Sequence, residues 1–142
     1  MHDWRAKKRA RAITVITAGA AAAAALTLVL AHVDPNIAGN PLPPCPLHAT
    51  TGLFCPGCGS TRALHALVDG DLKRAASMNV LLIASLPLLP VVALDAAGAL
   101  SAPLRTRLRW ILDARGWAAV LIAYALLRNL PWTPFNWLAP GS

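Results

Sequence analysis

Residues 13–33 read ITVITAGAAAAAALTLVLAHV, a stretch of 21 residues without a formal charge. At about 1.5 Å per residue this length spans roughly 30 Å, which matches the hydrocarbon core of a bilayer. Basic residues concentrate just before it, in an arm that covers residues 1–12 (Arg5, Lys7, Lys8, Arg9 and Arg11). A cleaved signal peptide has the same order of segments, but its apolar part is shorter. We therefore predict a retained transmembrane helix over 13–33.

Two further apolar runs follow, at 78–98 and at 116–130. Pro87 and Pro90 predict a kink in the first of them, and Asp95 near its end predicts an ion pair with an arginine of the following loop. In the second run Arg128 is expected to extend to the membrane interface. These runs predict an all-α integral membrane protein with three transmembrane helices.

The distribution of charge predicts how these helices are oriented. Only 13% of the residues are charged, against about 25% in an ordinary soluble domain. The basic residues lie mainly in the 1–12 arm and in a loop over 99–115, both of which are therefore predicted to be cytoplasmic. Residues 34–59, 60–77 and the 131–142 tail are then outside. Because topology accounts for the basic excess, we expect no nucleic-acid partner.

The segment between the first two spans has two parts. Residues 34–59 are rich in proline and glycine and predict an irregular outer loop. Residues 60–77 predict an amphipathic helix along the outer membrane surface, with Ser60 as its N-cap, an interruption at Gly70 and a new cap at Asp71. Its Arg62 and His65 form either a polar face toward the preceding loop or a solvated face, and the solvated face is the simpler interpretation.

The loop contains the one chemically distinctive pattern, C-x2-H, six residues, then C-x2-C, formed by Cys45, His48, Cys55 and Cys58. Three cysteines and a histidine are an established zinc set, so we predict one zinc ion held by these four residues. Pro56 fixes φ in the turn between the last two cysteines, and glycine beyond it permits a positive φ. Two alternatives stay open: a disulfide or redox pair in an oxidising compartment, and buried cysteines that only pack.

This pattern resembles the DUF2752 family, small bacterial membrane proteins with a C-P…T-G…C-P-G-C-G-x-T-R-A signature. The resemblance covers roughly residues 45–90, and the Arg-Asn-Leu-Pro ending at 128–131 looks similar as well. It implies a bacterial inner-membrane location and assigns no activity. The positions that match the motif are Cys45, Cys55, Pro56, Gly57, Cys58, Gly59, Thr61 and Arg62.

Three functional classes follow. The favoured one is a binding or assembly module without catalysis, in which the cysteine cluster, metal-bound or disulfide-closed, fixes the outer loop against the helices. Its partners would be the lipid bilayer and either another membrane protein or a second copy of the chain. The alternatives are a thiol-disulfide oxidoreductase acting through Cys55 and Cys58, and lipid or small-molecule handling at the outer leaflet through Arg62 and His65. The thioredoxin-like βαβ pattern is missing around the cysteines, which weighs against the oxidoreductase.

Overall fold

The computed structural model describes residues 3–140, and the side chains of 6–135 and 137–140. This part of the chain is helical and contains no strand. Two 3-10 turns, at Leu86–Leu88 and Phe135–Leu138, accompany the α-helices. In chain order the helices are α1 (Asp3–His32), α2 (Pro46–Thr51), α3 (Ser60–Val68), α4 (Leu72–Ser85), α5 (Leu89–Ala96), α6 (Ala102–Arg107), α7 (Arg109–Leu112) and α8 (Ala114–Leu127).

Two helices are long and apolar enough to cross a membrane. The first is Ala6–His32 within α1, which continues through the basic arm because alanine, lysine and arginine are all strong helix formers. The second is Leu72–Ala96, formed by α4, the 3-10 turn and α5. The turn contains Pro87, so the helix changes its winding where the sequence predicts a kink.

The second long helix begins six residues earlier than the apolar run that predicts it. Asp71 caps its first turn, as expected, because the Asp71 carboxylate accepts a hydrogen bond from the Arg74 amide at 2.8 Å. The predicted surface helix over 60–77 is therefore two elements. Its first part is α3, and its second part is the first turn of a helix that continues for 25 residues.

Asn79 interrupts α4 near its middle. Its backbone is extended, with φ −158° and ψ 89°, and its side-chain oxygen accepts the amide of Leu82 at 3.0 Å. An asparagine that accepts the amide three residues ahead is an N-cap. Asn79 therefore ends one helical segment and starts the next, and its side-chain amide group is free to bind outside the helix.

α3 packs closely against α1 and α4. The contact depends on small side chains, since Ala63, Ala66 and Ala75 are all completely buried. The N-cap of α3 is Gly59 with φ +81°, and the prediction of Ser60 in that role is wrong. Only a residue without a Cβ fits there, because a methyl group on Gly59 would lie 2.5 Å from the carbonyl oxygen of Met78.

The helices after α5 return along the second long helix, with contacts first near its end and then near Asn79. Arg105 of α6 pairs with Asp95 at 3.0 Å, which confirms the predicted ion pair. α8 starts beside the end of α5 and ends near Asn79, whose side-chain oxygen accepts the Tyr124 hydroxyl at 3.3 Å. With 14 residues, α8 covers about 21 Å, less than the roughly 30 Å of a bilayer core. A third crossing stays a prediction.

Candidate metal centre

Cys45 is held at the start of a short helix that the sequence analysis did not predict. Residues 46–51 form α2 inside the expected irregular loop. Cys45 is its N-cap, Pro46 follows in the first turn, and Gly52 ends it with φ +73°. Proline at the first helical position and glycine just past the last one are the preferred residues there, so the local sequence explains the helix.

The three cysteines lie together and form what we call the thiol cluster (the Sγ atoms of Cys45, Cys55 and Cys58). All three Sγ atoms are within 4.8 Å of one another, and no other described residue supplies a fourth ligand to this group. Cys55 is central, at 3.3 Å from Cys45 and 3.2 Å from Cys58. The three are free thiols, since a disulfide bond is about 2.05 Å long.

A tight turn brings the last two thiols together. The amide of Cys58 donates to the carbonyl oxygen of Cys55 at 3.0 Å, and the amide of Cys55 donates to the Cys58 sulfur at 3.2 Å. Two thiolates at about 2.3 Å from one zinc ion, at the tetrahedral angle, stand about 3.8 Å apart. The two separations of 3.3 and 3.2 Å are about 0.5 Å shorter than this value, so a small outward shift of the thiols would admit the ion. Three soft sulfur donors are the chemistry that zinc and similar ions prefer.

The thiols differ in how easily they ionise. Hydrogen bonds with the backbone amide of His48 and with the neighbouring thiols of Cys55 and Cys58 lower the pKa of the Cys45 thiol to about 7. Burial raises the pKa of Cys58 to about 12, with hydrogen bonds to the other two thiols acting in the same direction. Cys45 therefore ionises more readily than Cys58.

His48 does not lie in the cluster, although the spacing predicts it as the fourth ligand. Its Nδ1 is hydrogen-bonded to the carbonyl oxygen of Gly52 at 3.1 Å, and its ring stacks on Phe54 with centroids 4.5 Å apart. Because His48 lies within α2, its ring is directed toward Gly52 at the end of this helix and not toward the thiol cluster. What the structure assembles is thus a set of three cysteines.

Arg128 holds the turn between Cys55 and Cys58 from the other side. Its guanidinium donates to the carbonyl oxygens of Cys55 at 2.9 Å, Pro56 at 3.3 Å and Cys58 at 3.1 Å. It also lies over the Tyr124 ring at 4.9 Å. The side chain is only 1% exposed. The prediction that Arg128 extends to the membrane interface is wrong, because its guanidinium turns inward and donates to three peptide carbonyls inside the protein.

Two asparagines complete this support. Asn129 accepts the amide of Phe54 at 2.8 Å and donates to its carbonyl oxygen at 2.8 Å, as a neighbouring strand would. The Asn79 amide group donates to Pro56 at 2.9 Å and to the Ser60 hydroxyl at 3.1 Å. Residues from α4 and from the end of α8 therefore fix the backbone that carries the thiols.

The remaining predicted site residues fall into two groups. Thr61 and Arg62 line a cavity of about 580 Å³ that opens onto the three cysteines, together with Gly57 and Gly59. His65 points away from it, and its Nδ1 donates to the carbonyl oxygen of Leu30 at 2.7 Å. The solvated-face interpretation is wrong for His65, whose side chain is 12% exposed.

Pro56 and Gly57 separate the thiol cluster from a second space. A largely apolar groove of about 730 Å³ runs from these two residues to Asp95, between the second long helix and α8. Gly57 lines both the groove and the cavity, and a methyl group on it would lie 3.8 Å from the Cys55 sulfur.

Sequence reasoning missed the structural roles of Arg128, Asn129 and Asn79. One signal was present for Arg128, since a charged residue at the end of an apolar run is a candidate functional residue. Nothing in the spacing of the sequence indicates which loop it reaches, because its partners lie 70 to 73 residues earlier in the chain.

Within the described residues, the fold and the site define an all-helical protein with two helices able to cross a membrane and three clustered cysteines able to hold a metal ion. Residues 45–93 match the sequence profile of the family described as "Protein of unknown function (DUF2752)". The match contains all three cysteines and Asn79, and it confirms the resemblance drawn from the sequence. No curated protein and no solved structure matches the chain.

Proposed function

We propose that this protein is a small integral membrane module of the bacterial inner membrane, in which the thiol cluster holds one metal ion of the zinc type. The observation that carries the proposal is the group of three sulfur atoms within 4.8 Å on a backbone fixed by two other helices. Such support is typical of a metal site, because supporting contacts orient the ligands before the ion binds.

The proposed topology has three crossings, with the N-terminus in the cytoplasm and the cluster outside. α8 supports the third crossing, since it runs beside the second long helix from Asp95 to Asn79. Large apolar side chains on α8 are exposed, among them Ile122 at 62% and Leu126 at 66%. The proposed orientation rests on the basic residues of 1–12 and 99–115, because segments rich in lysine and arginine tend to stay in the cytoplasm.

In this proposal the ion is structural, and the module acts by binding a partner. The ion would fix α2 and the turn at Cys55 to the ends of α4 and α8, giving a rigid surface outside the membrane. The partner is another membrane protein or a second copy of the chain, since exposed apolar residues on α1 and α8 form a surface that would lie within the bilayer and could pack against another helix there. Crosslinking in native membranes should recover an adduct larger than the monomer.

The direct test is metal analysis and thiol counting on protein purified in detergent without chelator. We expect about one metal ion per chain and three thiols that alkylate only after a chelator is added. Cys58→Ser should lose the ion, whereas Ser60→Ala, a neighbouring change that leaves all three cysteines, should keep it. A chain without metal and with a single reactive thiol would instead show a disulfide and end the metal proposal.

One observation favours a second candidate, thiol–disulfide exchange. Cys45 combines the lowered pKa with a sulfur of Cys55 only 3.3 Å away. Its thiolate would attack the disulfide of a partner protein and release one partner thiol. Cys55 would then resolve the mixed disulfide, leaving a Cys45–Cys55 disulfide and a fully reduced partner. A Cys55→Ser variant keeps the attacking thiol but cannot resolve the mixed disulfide, so it should trap the partner, and a variant that traps no partner would argue against exchange.

A further inference from the structure

Among the residues that the structure describes, Arg128 is a buried cation without a carboxylate partner. A guanidinium stays charged in proteins, and this one is 1% exposed. Three carbonyl oxygens accept its hydrogen bonds, while its Nε is buried without a hydrogen-bond partner. Carbonyl dipoles and the rings of Tyr124 and Phe54 offset part of the desolvation cost, but buried charges in proteins are as a rule also paired with an opposite charge.

No described carboxylate supplies that opposite charge, because each is engaged elsewhere. The sequence has six acidic residues, and the side chain of Asp3 lies outside the described part. The other five contact histidine, arginine or backbone amides away from the cluster. They are Asp34 (His65 and Asn36), Asp69 (His65), Asp71 (the Arg74 amide), Asp95 (Arg105) and Asp113 (the Arg115 amide).

We infer that the countercharge of Arg128 is the thiol cluster itself, loaded with a divalent thiophilic ion as a tris-thiolate complex. This inference rests on the proposed function and specifies the ion that the site takes. Three thiolates and one divalent ion carry one net negative charge, which one guanidinium neutralises. The same three thiolates around a monovalent ion would leave an excess negative charge in the same place, and three neutral thiols would leave Arg128 unbalanced.

The geometry joins the two charges through one short loop. The carbonyls that Arg128 binds belong to Cys55 and Cys58, whose thiols are two of the three ligands. The cation and the complex therefore share a single turn, and Arg128 and Cys58 are both buried, so water screens their attraction less than it would at the surface. Arg128 is a positioning residue that acts on the ion through the ligands, without contacting it.

The first experiment measures the affinity for Zn²⁺ and Co²⁺ of the full chain in detergent, by competition with a chelator. Arg128→Gln should weaken binding on the order of 10- to 100-fold, the effect of one nearby charge at the effective dielectric constant of proteins. Arg128→Lys keeps the charge but loses the planar fork, and it should recover affinity to within about fivefold of the wild type.

Asn129→Ala is the matched control, because it removes two hydrogen bonds to Phe54, the residue before Cys55, and changes no charge. It should weaken metal binding less than Arg128→Gln does. If Arg128→Gln binds both ions as tightly as the wild type, or if the lysine variant is no better than the glutamine variant, Arg128 is not the countercharge. If the wild type itself binds no ion, the proposed function fails first.

A second experiment leaves Arg128 in place and changes the charge of the cluster. In metal-free protein, Cys45→Asp supplies a permanent negative charge, and Cys45→Asn is its neutral isostere. The aspartate variant should melt at least about 3 °C higher, the scale of shift expected when a chain of this size gains one charge pair. Equal melting temperatures, or a lower one for the aspartate, would overturn the inference even if Arg128→Gln does not fold.

Discussion

Gly59 is the point at which α3 approaches α4 most closely, and Gly59→Ala is the sharpest test of this packing. Its φ of +81° lies in the left-handed region. A Cβ there would lie 2.5 Å from the carbonyl oxygen of Met78 and 2.8 Å from the Cβ of Pro140. A backbone carbonyl cannot rotate away as a flexible side chain does, so α3 has to move away from α4.

Two costs add for this substitution. The left-handed conformation costs an alanine about 1–2 kcal/mol. Overpacking at a buried contact costs about 1–3 kcal/mol more. We therefore expect Gly59→Ala to lower the free energy of unfolding by about 2–5 kcal/mol, which lowers the melting temperature on the order of 10 °C.

Gly70 provides a matched control on the same helix pair. Its φ is +78°, and nothing lies within 4 Å of a Cβ built on it. Gly70→Ala should therefore show only the conformational cost of about 1–2 kcal/mol. Thermal unfolding in detergent, followed by circular dichroism, measures both variants. If Gly59→Ala and Gly70→Ala destabilise the protein equally, the close approach to Met78 does not hold α3 in place.

Three further predictions address the support of the site and its ionisation. Asn129→Ala should lower the free energy of unfolding by about 1–3 kcal/mol, because it leaves the backbone groups of Phe54 without their partners, and amide exchange at Phe54 should become faster. In metal-free protein, the rate of Cys45 alkylation should be half-maximal near pH 7 and should fall below that pH, because the lowered pKa keeps the Cys45 thiolate populated well below pH 9. A midpoint near pH 9 would contradict this prediction. His65→Ala should cost about 1–2 kcal/mol through the lost bond to the Leu30 carbonyl, and an unchanged melting temperature would show that this contact does not join α3 to α1.

Local features of the fold could be predicted from the sequence because they depend on neighbouring residues. Uncharged length predicts the helix over 13–33, and Asp71 caps the helix that follows it. The ion pair of Asp95 with an arginine of the next loop follows from the cost of a lone charge in an apolar run. The C-x2-C spacing likewise brings Cys55 and Cys58 together in one turn.

The failures share one cause, which is that the partners are distant in the chain. His48 has metal-ligand spacing, but α2 and the ring of Phe54 decide where it points. His65 has the pattern of a solvated face, but α1 covers it. Arg128 lies at a helix end, where an arginine side chain usually extends to the membrane interface. Here it instead donates to carbonyl oxygens of residues more than 70 positions earlier in the chain.

The distance between Arg128 and the cysteines along the chain has a consequence for biosynthesis. The loop with all three thiols leaves the ribosome first, and the side chain that binds its carbonyls follows 73 residues later. A nascent chain that has not reached Arg128 therefore has every ligand but not the clamp that orders them. Completion of α8 and of the Arg128 that ends it is thus the step that finishes the site, and a chain truncated before Arg128 should carry the cysteines as loose, oxidisable thiols.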